Sequence, residues 1–198
     1  MRKLIQTTKV LLLFSAGILT IKNIINRDLA YTLVALSLFI ITFIPEILRK
    51  IGLKFNNGLE LVFLLFIFLA QVLGSLLNFY DYIYLYDKVV HFFSGILTAF
   101  IGLYLLNIFK CKTKNIIFVS IFTLFTSLSI ATLWEVFEYV SNMIFGGDPQ
   151  NVFKTGVNDT MLDIIVALIA SIIIIIIYIY EEKANKKSII KNLIRDNN

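Results

Sequence analysis

The chain has 198 residues, 59% hydrophobic and only 16% charged, with mean hydropathy +0.86 and formal net charge +5. That apolar content excludes an ordinary soluble domain, and the basic excess is not a nucleic-acid footprint, because Lys and Arg beside membrane segments report orientation. Cys111 is the only cysteine, so there is neither a disulfide framework nor a Cys-based metal motif.

Runs of about 20 apolar residues cross a hydrocarbon core of ~30 Å at a helical rise of 1.5 Å per residue. Six such spans are read, at 10–25, 29–48, 59–79, 89–109, 116–143 and 160–180. They predict an all-α, polytopic membrane protein of about six transmembrane helices. The whole of 1–198 is expected to form a single integral membrane domain. Within it, 1–79 would supply three support helices, 80–180 three helices carrying a polar cluster, and 181–198 a basic cytoplasmic tail.

The basic opening, with Ser15, Ala16 and Gly17 behind it, has the outline of a signal peptide. A retained first helix is the expectation, since the apolar run continues to Ile25. In a six-pass arrangement one side holds Arg2, Lys3, Lys9, Arg49, Lys50, Lys54, Lys110, Lys112, Lys114, Lys183, Lys186, Lys187, Lys191 and Arg195. That is 14 of 18 basic residues; the other side has Lys22, Arg27, Lys88 and Lys154. Both termini are therefore expected inside. Abundant Ile, Asn and Lys suggest a bacterial source, hence a bacterial cell (plasma) membrane.

The first three spans read as support. Their polar residues lie mostly at the ends, Pro45 and Glu46 stand near the inner end of the second, and no intramembrane acid is expected. Ala70 and Gly74 in the third form a small-xxx-small pair that lets a neighbouring helix come close. Residues 79–87 then alternate aromatic and other side chains, which suits an interfacial aromatic belt or a lid over a lipid-facing site.

The last three spans differ. Each carries ionisable residues three or four apart, which a helix places on one face: Asp87, Lys88 and His91; Glu135 and Glu138; Asp159 and Asp163. An ionised group at the bilayer centre costs roughly 3 kcal/mol on insertion scales, so such groups mark sites. Stripes of small residues lead to each set: Gly95, Thr98, Ala99 and Gly102; Ser127 and Ala131; Ala167 with Ala170 or Ser171. Small residues let membrane helices pack by van der Waals contact. The stripes and the topology predict one polar cluster at the outer mouth of a three-helix core.

The loop between the acidic helices is punctuated by Gly and Pro. Asn158 or Asp159 at its end is placed to cap the sixth helix, a competing role for Asp159. His91, the only histidine, with Glu135, Glu138 and Asp163 forms the candidate catalytic set, with Asp87, Lys88 and Asp159 as supporting polar groups. One imidazole and several carboxylates suit a divalent metal such as Zn, Mn or Fe. Crowded carboxylates equally suit proton or cation binding, and an ion-pair network that only holds helices together is the third alternative.

Three elements carry a family resemblance: Asp87-Lys88-Val89-Val90-His91-Phe92, Trp134-Glu135-Val136-Phe137-Glu138, and Asp159-Thr160-Met161-Leu162-Asp163. Their D-x-x-x-H-F, W-E-x-x-E and D-T-x-x-D patterns, in this order, resemble the YjdF-like family of bacterial inner-membrane proteins over residues 80–171. More distantly the chain is similar to the VanZ-like group, although Ala167 and Ala170 stand where that group tends to carry Asn and Gly. The resemblance implies a polytopic bacterial membrane protein and no particular reaction. The expected partners are membrane lipids and a lipid-linked or small-ion ligand, with no nucleic acid. Whether the protein is an enzyme on an envelope precursor, an ion-coupled transporter or an accessory subunit stays open, with the missing inverted repeat tilting against a transporter.

Overall fold

A computed structural model describes the chain except for Lys54, Lys112, Gly147, Pro149, 185–189 and 191–198. Among the basic residues used for orientation, Lys54, Lys112, Lys186, Lys187, Lys191 and Arg195 lie outside the described residues, as does most of the expected tail. The described residues form helices and no strand, and six helical stretches are long and apolar enough to cross a membrane. They fall into two compact units, Met1–Asp87 and Lys88–Ile190.

In the first unit α1 runs from Arg2 to Ile25. Asp28 starts α2 (Leu29–Thr42) by accepting a hydrogen bond from the Tyr31 backbone N–H at 3.1 Å. Pro45 lacks an N–H and its ring crowds the preceding turn. The span accordingly breaks at Phe43 and resumes as α3 (Ile44–Lys50). Asn56 caps α4 (Asn57–Ile67), which continues as a π-helical segment, Phe68–Leu76. Leu12, Ala16, Ala35, Leu38 and Leu64 are fully buried at the centre of this unit.

This unit is not free of intramembrane acid. Glu60, in the first turn of α4, is 2% exposed and pairs with Lys9 of α1 and with Arg49 of α3, whose Nη1 lies 2.7 Å away. Glu46 joins the network through Lys9 and Arg49. A buried carboxylate is tolerated when charge and hydrogen bonds compensate it. Here the compensation comes from two other helices.

The π segment corrects a second expectation. Gly74 makes room for an aromatic ring, not for a helix: a Cβ there would stand 2.4 Å from Cε2 of Tyr80. Asn78, in the left-handed region at φ 59°, leads into the short α5 (Phe79–Tyr82), so part of the aromatic run is one helical turn. Tyr86 is buried and its hydroxyl donates to the Leu69 carbonyl at 2.9 Å, while Tyr82 and Tyr84 face outward.

The second unit consists of α6 (Tyr86–Ile108, entering from Asp87), α7 (Ile116–Phe145), the one-turn α8 (Val152–Thr155) and α9 (Asn158–Lys183). The small residues meet as expected. A Cβ on Gly95 would lie 2.1 Å from the Ala167 carbonyl oxygen, and one on Gly102 would lie 3.0 Å from the Thr123 Cα. Thr98 and Ser127 hydroxyls join across α6 and α7 at 2.7 Å. The opposite face of α7 exposes Ile117, Phe125, Leu133 and Phe137, an apolar surface suited to lipid.

Candidate functional site

Three helices bring ionisable groups to one end of the second unit: the first turns of α6 and α9 and the latter part of α7. On α6 the three-residue step turns Lys88 and His91 to the same side. On α9 the four-residue step does this for Asp159 and Asp163. Lys88 Nζ lies 2.6 Å from Asp159 Oδ1 and 2.8 Å from Asp163 Oδ2, so one ammonium joins both aspartates. His91 is 6% exposed, and its Nε2 faces Asp163 Oδ1 at 3.8 Å and Glu135 Oε1 at 4.0 Å.

Glu135 and Asp163 are 4% and 2% exposed, deep enough for solvent screening to be weak. Because α7 runs on to Phe145, Glu135 stands about 15 Å from the helix end at 1.5 Å per residue. Four carboxylates (Asp87, Glu135, Asp159 and Asp163), one imidazole and one ammonium gather at this end, with the ammonium on Asp159 and Asp163. At an effective dielectric near 20, two unit charges 4 Å apart interact by about 4 kcal/mol.

Asp87 precedes His91 by one turn of the same helix. Asp87, His91 and Asp163 each offer a ligand atom, all within 4.8 Å of one another. Ligand atoms held roughly 2.1 Å from a common ion stand about 3–4 Å apart, so Asp87, His91 and Asp163 lie close to the spacing that one ion requires, and Glu135 Oε1 approaches the group only through His91 Nε2. One imidazole nitrogen with carboxylate oxygens suits Zn, Mn or Fe.

Two sequence expectations fail here. Glu138 does not turn inward; it is partly exposed and accepts a hydrogen bond from Trp134 Nε1 on its own helix at 2.8 Å. Nor does Asp159 cap α9, whose N-terminus has no side-chain cap. Its second oxygen instead accepts from Asn151 Nδ2 at 2.8 Å.

The connecting loop supplies what the ionisable pattern alone does not show. Asp148 accepts the backbone N–H groups of Val152 and Phe153 at 2.8 and 3.0 Å, which starts α8. Asn151 takes φ 50°, a left-handed conformation that Asn tolerates, and the chain leaves α8 through Gly156 at φ 62°. Gln150, buried by this turn, donates from Nε2 to the Glu135 carbonyl at 3.0 Å and to Glu135 Oε2 at 3.2 Å. A sequence signal existed in the adjacent carboxamides Gln150 and Asn151, but no spacing rule links a loop amide to an acid 15 residues earlier. Beside Glu135 and Gln150, a groove of about 440 Å³ runs between α7 and α9, walled by Val136, Tyr139, Val157 and Ile164.

Comparison with known proteins places this arrangement in a family. The model of the predicted membrane protein family DUF2238 matches residues 7–183. The chain belongs to the DUF2238 family. The YjdF-like resemblance of its three motifs is to this same family. The DUF2238 match takes in five of the apolar spans whole, most of the first, and every cluster residue from Asp87 to Asp163. An uncharacterized protein of Thermotoga maritima is 25% identical over 154 residues, covering 77% of this chain and 79% of its own. No solved structure matches.

Proposed function

We propose that this DUF2238 protein binds a divalent metal ion through Asp87, His91 and Asp163, with Glu135 as a further ligand, at the outer face of a bacterial cell membrane. In this proposal the metal acts on the polar head of a lipid-linked or cell-envelope substrate whose apolar part lies in the groove between α7 and α9. The observation that carries the reading is the convergence of ligand atoms from Asp87, His91 and Asp163, all within 4.8 Å of one another, with Glu135 Oε1 4.0 Å from His91 Nε2. The metal would polarise a headgroup oxygen. Orientation rests on the basic bias of the sequence.

A second reading rests on Lys88. Its ammonium between Asp159 and Asp163 already supplies a cation, which favours a helix lock or a proton- or cation-carrying site without metal. Metal analysis of the purified full-length chain separates the two. Metal retained by the wild type and lost from folded His91→Ala and Asp163→Asn variants supports the proposal. A metal-free wild type that takes up no zinc or manganese, with variants that lose only stability, favours the lock.

A further inference from the structure

Gln150 lies on the loop, outside the three ionisable motifs, yet it touches the cluster at the buried carboxylate of Glu135. Its Nε2 is 3.2 Å from Glu135 Oε2 and 3.0 Å from the Glu135 carbonyl oxygen. The carboxamide thus grips both ends of one residue, the backbone that carries it and the carboxylate that it presents. With Oε2 held from the loop side, Oε1 is the oxygen turned to His91 Nε2, at 4.0 Å. A Glu side chain has three rotatable bonds, and a fixed donor removes most of that freedom at a buried position.

The grip is built by the loop. Asp148 holds the backbone N–H groups of Val152 and Phe153, Asn151 adopts its left-handed conformation, and Gln150 is thereby buried against α7. The next residue repeats the device on the facing helix: Asn151 Nδ2 donates to Asp159 Oδ2 at 2.8 Å, leaving Asp159 Oδ1 for Lys88. Two neighbouring carboxamides therefore each take one oxygen of an acid and leave the other facing the cluster.

We propose that Gln150 is a positioning residue that aims Glu135 at the His91 side of the cluster, with Asn151 doing the same for Asp159. The loop between α7 and α9 would thus set the ligand geometry. This rests on the metal-binding reading for its consequence, though not for its geometry. Outer partners of metal ligands typically change affinity by 10- to 100-fold when removed, while the first ligands stay in place.

The test uses the full-length protein in detergent with zinc ion as the probe. Zinc affinity is measured for the wild type, Gln150→Ala, Gln150→Asn and, as a control on the exposed side of α8, Phe153→Ala. The ¹⁵N resonances of His91, the only histidine, are recorded for the same proteins without metal at fixed pH. The expected result is zinc affinity lowered at least tenfold in Gln150→Ala, less in Gln150→Asn and unchanged in Phe153→Ala, with the His91 resonances shifted in Gln150→Ala. Wild-type affinity in Gln150→Ala overturns the inference and leaves the metal site standing. If the wild type binds no zinc, the metal reading fails and the His91 resonances decide: a shift in Gln150→Ala keeps the positioning role, and an unmoved spectrum overturns it. Should Gln150→Ala not fold, Gln150→Asn is judged by the same two outcomes.

Discussion

The ammonium of Lys88 lies 2.7 Å from Asp163 Oδ1 and 2.8 Å from Oδ2, so one cation clasps both oxygens of a buried carboxylate. Removing one member of a buried ion pair costs about 3–5 kcal/mol, because the other charge stays buried without its counterion. Lys88→Met is expected to lose stability on that scale, with Lys88→Met combined with Asp163→Asn recovering much of it. Thermal unfolding in detergent, followed by circular dichroism, compares the single and double variants.

Gly95 and Gly17 are predicted to respond differently to alanine. At Gly95 the new Cβ would meet the Ala167 carbonyl oxygen at 2.1 Å, and a backbone atom cannot swing aside. Gly95→Ala should therefore push α6 from α9 and cost at least the 1–3 kcal/mol typical of overpacking. Gly17 on α1 has nothing within 4 Å of such a Cβ. Gly17→Ala should be neutral or slightly stabilising, since Ala suits a helix by up to about 1 kcal/mol more than Gly. Midpoints of thermal unfolding decide both.

In the first unit, Glu60→Leu should be more damaging than Glu46→Leu. Glu60 is almost wholly buried and joins Lys9 to Arg49, whereas the Glu46 side chain is 34% exposed. A loss of about 3–5 kcal/mol is expected at Glu60. Solvent should cut the effect at Glu46 to a fraction of that. Equal unfolding midpoints for the two variants would contradict this ranking.

Tyr86→Phe keeps the ring contacts with Phe79 and Tyr80 but removes the hydroxyl that reaches the Leu69 carbonyl. A single neutral hydrogen bond contributes about 0.5–1.5 kcal/mol net. A small drop in unfolding midpoint is predicted, with zinc binding unaltered.

Much of this was legible in the sequence because membrane helices announce themselves by length and apolarity. Helical spacing likewise shows which side chains share a face. The stripe from Asp163 through Ala167 to Ser171 and the acids preceding it follow from that periodicity alone. Burial is a property of neighbours, however. Glu60 reads as an end-of-span acid until Lys9 and Arg49 arrive from two other helices. Glu138 fits the same stripe as Glu135, yet it is only partly buried and Trp134 on its own helix binds one of its oxygens. Asp159 meets every local rule for a cap, but Lys88 and Asn151 take both its oxygens. Gln150 acts across a loop, where no periodicity links the two partners.

The most direct test of the central claim is X-ray absorption spectroscopy of the zinc-loaded full-length protein. With a single histidine in the chain, the proposed site predicts one imidazole nitrogen at about 2.0–2.1 Å among carboxylate oxygens. That imidazole signal should vanish in His91→Ala. A shell of oxygens alone in the wild type, or an unchanged spectrum in His91→Ala, would contradict a metal site built on His91.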